Sequence, residues 1–245
     1  MNFLLIETAS SNCSVATANE NGIISIRENA DGREHAALVT VFADEAMKES
    51  KLIFRHTQND NVMLSLSKHI DAVVVSAGPG SYTGLRIGMS AAKGICYAAN
   101  LPLIAVDTLE ALASGFVQKH LQTTTNHEPR TTICSVFDAR RDEVYYGIWT
   151  AIGETIISSR AALLNEDFKN TISTIEGKIY FVGDGAKKVN EFLGDTKSSF
   201  HPEFKTSAQH LLSIAIKKFN EKDFADVAYF EPNYIKPFYF AEKKV

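Results

Sequence analysis

Gly78-Pro79-Gly80-Ser81-Tyr82-Thr83-Gly84-Leu85-Arg86-Ile87-Gly88 is the stretch on which the fold turns. It follows an apolar run, Asp71 to Ala77, that reads as a buried strand, and it leads into a helix of small residues from Leu85 to Ala98. Strand, glycine loop and helix in that order belong to α/β proteins, which use such loops to present backbone N–H groups to an anion or to bring two backbones close together. No Lys-Ser/Thr pair closes a G-x-x-x-x-G here, and Thr83 breaks a G-x-G-x-x-G pattern, so neither phosphate-binding signature is present. Gly78 and Gly80 permit positive φ and close approach, and Thr83 is placed to cap the helix. Gly84, Gly88, Ala91, Ala92, Gly94 and Ala98 give that helix a face with little bulk. Two readings stay open: a face that another helix approaches closely, or tight packing on the chain's own sheet.

Before the glycine loop, Asn2 to Glu7 reads as a strand, Thr8-Ala9-Ser10-Ser11-Asn12 as a polar turn, and Cys13 to Ala18 as a second strand. Asn21-Gly22 signals a type I′ turn before a third strand, Ile23 to Arg27. Asp31 to His35 is a loop, and Ala36 to Lys48 has helical spacing. Residues 53–69 read as a surface insertion. Pro102 to Val106 is a short strand, with Thr108 placed to cap the helix from Leu109. Gln122 to Pro129 reads as a polar loop. Thr132 to Phe137, a turn at Ala139-Arg140-Arg141-Asp142 and a strand from Glu143 to Thr150 repeat the plan of residues 3–18. Each of these hairpins follows its first strand with an acidic residue, Glu7 or Asp138. Ile179 to Val182 then leads into Gly183-Asp184-Gly185 and a helix, and Ser207 to Phe219 has amphipathic helical spacing. Glu231 to Pro237 is expected to be extended, because two prolines confine it. A duplicated α/β fold is the expectation, divided into residues 1–101 and 102–245.

The 245 residues carry a net charge of −4, which argues against a surface that binds nucleic acid or membrane strongly. Three cysteines, Cys13, Cys96 and Cys134, lie far apart without a C-x-x-C, so neither a disulfide framework nor a structural zinc site is expected, and a reducing cytoplasm fits. The chain opens on a strand, so no signal peptide is expected, and no apolar run is long enough for a membrane span.

Three groups of residues carry chemistry. Glu7, Thr8 and Ser10 could contact phosphate, with Glu7 holding Mg²⁺ through water, or they could form an ordinary hairpin whose hydroxyls satisfy turn backbone. Gly183, Asp184 and Gly185 could approach an adenosine, or form a common turn. His35 could be a base or a structural residue before a helix. The seven histidines form neither H-x-x-x-H nor H-E-x-x-H, so a metal site of that kind is not expected. No G-x-S-x-G elbow is present, and the cysteines stand in apolar surroundings that suit inert thiols.

Taken together, several segments resemble the TsaB (YeaZ) family: Ile6 to Ser10, Arg33-Glu34-His35, Gly78 to Gly88, Ala92-Lys93-Gly94, Leu101 to Ile104, Leu109 to Ala113, Asp138-Ala139-Arg140 with Glu143-Val144-Tyr145, Gly183 to Gly185 and Glu231 to Tyr234. They run in order across nearly the whole chain. The resemblance implies two similar α/β domains of the sugar kinase, heat-shock chaperone and actin (ribonuclease H-like) type. It implies a non-catalytic subunit in the formation of N6-threonylcarbamoyladenosine (t6A) at position 37 of tRNA, binding a TsaD transferase together with the ATPase TsaE. Such a subunit contacts tRNA indirectly, binds no DNA, and forms a homodimer when alone. The helices of the N-terminal half would carry the partner face, with His35, Leu38, Val39, Phe42, Gly80, Tyr82, Thr83, Leu85, Arg86, Gly88, Met89 and Ala92 as its residues. No cofactor is expected in the isolated chain, with ATP or ADP entering in the complex at a vestigial site of Glu7, Thr8, Ser10, Asp138, Gly183, Asp184 and Gly185. Many members carry Asp where Glu7 stands.

The resemblance also locates the related transferase's H-x-x-x-H metal pair at Thr108 and Leu112 here, and neither residue supplies an imidazole. Two other readings remain from the residues: an ATP-dependent kinase or ATPase using Glu7, Asp138 and Gly183 to Gly185, and a metal-dependent transferase or protease like the related enzyme.

Overall fold

The computed structural model describes residues 1–32, 34–53, 68–121, 131–194 and 198–236. Most of the expected insertion, the expected loop at 122–129, Arg33 and Pro237 lie outside these residues. The first part of the chain forms β1 (Asn2–Glu7), β2 (Cys13–Asn19), β3 (Gly22–Asn29), α1 (His35–Ser50), the two-residue strands β4 (Leu52–Ile53) and β5 (Lys68–His69), β6 (Ala72–Ser76), α2 (Tyr82–Ala99), β7 (Leu103–Val106) and α3 (Thr108–His120). The second part forms β8 (Thr131–Asp138), β9 (Glu143–Thr150), β10 (Thr155–Leu163), α4 (Glu166–Ser173), β11 (Lys178–Val182), α5 (Ala186–Leu193), β12 (Ser199–His201), a 3₁₀ turn at Ala208–Leu211 and α6 (Leu212–Glu221).

The expected duplication is present at the level of topology. One five-stranded sheet runs β3-β2-β1-β6-β7 and the other β10-β9-β8-β11-β12, so both have the order third, second, first, fourth, fifth. In each, the first three strands are antiparallel and the last two add in parallel. Parallel addition requires crossovers, which α1 and α2 supply in the first sheet and α4 and α5 in the second.

Burial explains why the central strands read as continuous apolar runs. In β1, Leu4 and Ile6 point to a core shared with α1 and α2, while Phe3 and Leu5 point to the opposite face, covered by Ala208, Leu211, Ile214 and Ala215. A strand covered on both faces has no polar side to alternate with. In β8, Cys134 and Val136 face α4 and α5, whereas Ile133 and Phe137 face Leu109, Leu112 and Phe116 of α3. The third helix of each half is therefore exchanged: α3 covers the second sheet, and the 208–221 segment covers the first. Residues 103–106 and 208–221 accordingly lie with the first sheet, although a division at 101/102 would assign them to the second half.

Several local expectations are corrected. Asn19 pairs with Gly22, so the hairpin turn is centred on Glu20-Asn21, and neither residue has the positive φ of a type I′ turn; only Gly22 does, at 140°. Ser81, not Thr83, caps α2, its hydroxyl accepting from the Gly84 N–H. Asp107, not Thr108, caps α3, accepting from the N–H groups of Leu109 and Glu110. β10 and α4 carry weak apolar patterns because β10 is an edge strand with exposed side chains and α4 buries only Phe168 and Ile172. Among the described residues no helix is long and apolar enough to cross a membrane.

Candidate functional site

Between the two sheets lies a cleft of about 1260 Å³. One wall is the first hairpin turn (Ala9, Ser10, Ser11), the start of α1 at His35 and the glycine loop from Pro79 to Gly84. The other is the second hairpin turn from Asp138 to Glu143, with Tyr145 and Asp184, and residues 233–236 complete the lining.

The glycine loop is shaped by the chain's own backbone. A Cβ on Gly80 would lie 2.4 Å from the Ala9 carbonyl oxygen, one on Gly84 2.0 Å from the Thr8 carbonyl oxygen, and one on Gly88 2.2 Å from Thr8 Oγ1. Such separations are impossible for a side-chain carbon, so glycine is required where α2 is pressed onto the first hairpin. Thr8 Oγ1 donates to the Gly84 carbonyl at 2.8 Å, and the Ser81 N–H donates to the Ala9 carbonyl at 2.6 Å. This decides the question the sequence left open for Gly84 and Gly88: both face inward. The second half repeats the device. A Cβ on Gly183 would lie 2.4 Å from the Val136 carbonyl oxygen, and one on Gly185 2.7 Å from Val136 Cγ1.

Glu7 ends β1 and is 1% exposed. Its Oε1 accepts from the Ala9 N–H at 2.6 Å and from Ser76 Oγ at 3.1 Å. Burial pushes its carboxyl up to about 7, against the opposing pull of hydrogen bonds from Ala9, Ser76 and Thr8. Ser10 Oγ pairs with Thr206 Oγ1 at 2.6 Å, and the Ser10 carbonyl meets His35 Nε2 at 3.0 Å. His35 is 7% exposed and ties the hairpin turn to the start of α1, which is the structural reading of this residue.

Asp138 is exposed at the end of β8; its Oδ1 accepts from the Arg140 N–H and from Lys188 Nζ at 2.9 Å. Asp184 Oδ1 accepts from the Asp138 N–H. Arg140 and Arg141 both hold positive φ, 68° and 49°, in the turn between.

Of the seven residues expected at a vestigial nucleotide site, Ser10, Asp138 and Asp184 line the cleft, while Glu7, Thr8, Gly183 and Gly185 lie behind it. The set does not fit a magnesium nucleotide. Glu7 is committed to Ala9 and Ser76, Asp138 is paired with Lys188, and the glycines answer to the chain's own backbone. No group of three or more His, Cys, Asp or Glu among the described residues is arranged to hold a metal ion.

The expected partner face also divides. Val39, Leu85, Gly88, Met89 and Ala92 are buried in the chain's own core, so in this fold they belong to no surface, and His35 and Gly80 pack against the first hairpin. Leu38, Phe42 and Tyr82 are half-buried, and Thr83 and Arg86 are exposed. The open side of α2 runs instead through Arg86, Ser90, Gly94 and Tyr97, with Tyr97 86% exposed and nothing within 4 Å of a Cβ on Gly94. Helical spacing of three to four residues gives this stripe away in the sequence, but the buried side of α2 is just as rich in small residues. All three cysteines are buried, and burial pushes the Cys13 thiol up to about 11 and the Cys96 thiol up to about 12, which suits inert thiols.

Comparison with known proteins gives a consistent set of relatives. The family model for TsaD, tRNA N6-adenosine threonylcarbamoyltransferase, matches residues 28–236. The tRNA threonylcarbamoyladenosine biosynthesis protein TsaB of Escherichia coli K12 is 29% identical over 251 residues, covering 96% of this chain and 95% of its own length. TsaB of Bacillus subtilis 168 is 28% identical over 172 residues, covering 68% of this chain and 70% of its own. Among solved structures, YeaZ from Pseudomonas aeruginosa superposes with a TM-score of 0.71 at 22% identity, covering 95% of this chain and 99% of that one, and so shares the fold.

Proposed function

Because the chain belongs to the TsaD family and resembles TsaB proteins over almost its whole length, we propose that it is a non-catalytic subunit in the formation of t6A in tRNA. Its role is to bind a TsaD-type transferase and hold it in an active form, with a TsaE-type ATPase as a further partner, in the cytoplasm where tRNA is modified. The observation that carries this reading is the start of α3. Thr108 and Leu112 stand where the resemblance puts the transferase's two metal-binding histidines. The Thr108 hydroxyl accepts from the Gly78 N–H at 3.0 Å, and Leu112 is fully buried against the second sheet. A hydroxyl already bound to the glycine loop and an alkyl side chain leave that position no imidazole donors. The commitment of Glu7 and Asp138 to the chain's own groups supports the same conclusion against phosphoryl transfer.

The partner surface on this reading is the open side of α2 at Arg86, Ser90, Gly94 and Tyr97, with the half-buried Leu38, Phe42 and Tyr82 at its margin. The same surface serves self-association when the partner is absent.

Expression of this chain in a bacterium depleted of its own TsaB tests the proposal. The chain restores t6A, measured by mass spectrometry of tRNA digests, and co-purifies with the transferase. Gly94→Arg loses both without lowering the melting temperature. A restored t6A level with Gly94→Arg would move the interface elsewhere, and failure of the parent to bind or restore would refute the role.

A further inference from the structure

We propose that residues 233–236 are a clasp across the cleft, fixed to the first half and held to the second by a releasable ion pair. The fixed end is built from the backbone. The Asn233 N–H donates to the Ala77 carbonyl at 2.7 Å, and the Asn233 carbonyl oxygen lies 2.7 Å from where a Cβ on Gly78 would stand. Gly78 holds φ at 103°, so both its conformation and the approaching strand require glycine. Next along the chain, the Tyr234 ring lies 4.6 Å from that of Tyr82, and its hydroxyl accepts from Arg86 Nε at 3.3 Å. The Arg86 guanidinium sits 4.1 Å from the centroid of the Tyr82 ring. Three consecutive kinds of contact thus hold this segment to the glycine loop and the first turn of α2.

The other end is different in kind. Two residues beyond Tyr234, Lys236 Nζ pairs with Glu143 at the start of β9, the two side chains being 29% and 32% exposed. The same ammonium lies 5.9 Å from the Tyr145 ring centroid. Pairs of this exposure are weak and are screened by salt.

Other ties between the halves among the described residues are of another sort. The exchanged helices are buried in both cores, and Ser159 Oγ donates to Asp107 at the cap of α3 at 2.8 Å. Residues 233–236, Glu143 and Tyr145 all line the cleft, so the clasp spans its two walls directly. Its asymmetry makes it a gate. The segment stays with the glycine loop while the second wall is let go, and ionic strength or a competing charged group sets how often that happens.

Hydrogen exchange of the full chain, followed by mass spectrometry, tests this directly. Lys236→Ala speeds exchange in the segment 137–143 by about two- to fivefold, the range an exposed pair is worth, and leaves 79–84, which stays with the clasp, at the parent's rate. High salt moves the parent in the same direction and leaves Lys236→Ala unchanged. The exchanged pair Lys236→Glu with Glu143→Lys returns exchange to the parent's rate. Equal exchange in parent and Lys236→Ala, a doubly exchanged variant that stays fast, or an increase spread equally through β1 and β6 would each overturn the proposal.

Discussion

Two buried titratable side chains act in opposite senses on stability. Glu7 has its carboxyl raised from 4.5 to about 7 by burial. Its folded pKa lies above the unfolded one, so its contribution is full below pH 4.5 and is lost as pH rises toward 7. His210 is lowered from 6.5 to about 4, chiefly by burial. Its contribution is full above pH 6.5 and is lost as pH falls toward 4. Each shift corresponds to roughly 3 kcal/mol, and across pH 4.5–6.5 the two slopes cancel. Glu7→Gln keeps an acceptor for Ala9 and Ser76 but removes one slope. Measured by denaturant unfolding, its stability relative to the parent rises by roughly 3 kcal/mol between pH 4 and pH 8. A pH-independent difference would show that Glu7 ionises normally.

The glycines of α2 give a second test at this scale. Gly88→Ala forces a carbon onto Thr8 Oγ1, 2.2 Å away, and lowers stability by about 1–3 kcal/mol through overpacking. Gly94→Ala meets nothing within 4 Å and raises stability by about 0.5–1 kcal/mol through helix propensity. Thermal melts of the two variants should move in opposite directions.

Among the elements, α3 touches both halves of the molecule. Its apolar face, Leu109, Leu112, Ala113 and Phe116, covers the second sheet, while Gly115 receives the ring of His210 from the segment covering the first. A Cβ on Gly115 would lie 2.3 Å from that ring, which is itself stacked on Phe204 at 5.1 Å. Gly115→Ala therefore separates the two exchanged helices where they cross. It lowers the unfolding midpoint by an amount equivalent to about 1–3 kcal/mol, and Gly115→Ala with His210→Ala recovers part of that loss.

The helix itself was legible in the sequence from the capping residue expected just before Leu109. Which sheet it covers was not, because an amphipathic pattern states that a face is buried and not against what. The caps failed for a related reason. Ser81 and Thr83, or Asp107 and Thr108, are chemically near-equivalent choices, and only the backbone path selects between them. β10 was missed because an edge strand with exposed side chains lacks the apolar run by which β1, β6 and β8 announce themselves.

At the scale of the whole molecule, duplication accounts for most of what could be foreseen. Two apolar strands each ending in an acid, and two glycine turns each following a strand, are the sequence trace of one plan used twice. The glycines were visible, but their purpose was not. Gly84 and Gly88 press on Thr8, nearly eighty residues earlier, and Gly183 on Val136; contacts at that separation leave no local pattern. The same limit explains why Glu7 looked free to hold a metal when its partner, Ser76, stands on another strand.

Reconstitution with purified components asks whether this subunit works through its partner. The chain, a TsaD-type transferase and a TsaE-type ATPase are combined singly and together with unmodified tRNA and the threonylcarbamoyl donor, and t6A is counted by mass spectrometry. No t6A forms from the chain alone, and full formation follows only when the chain joins the transferase and the ATPase. Formation of t6A by the chain alone, or a yield from the other two proteins that its addition leaves unchanged, would contradict this role.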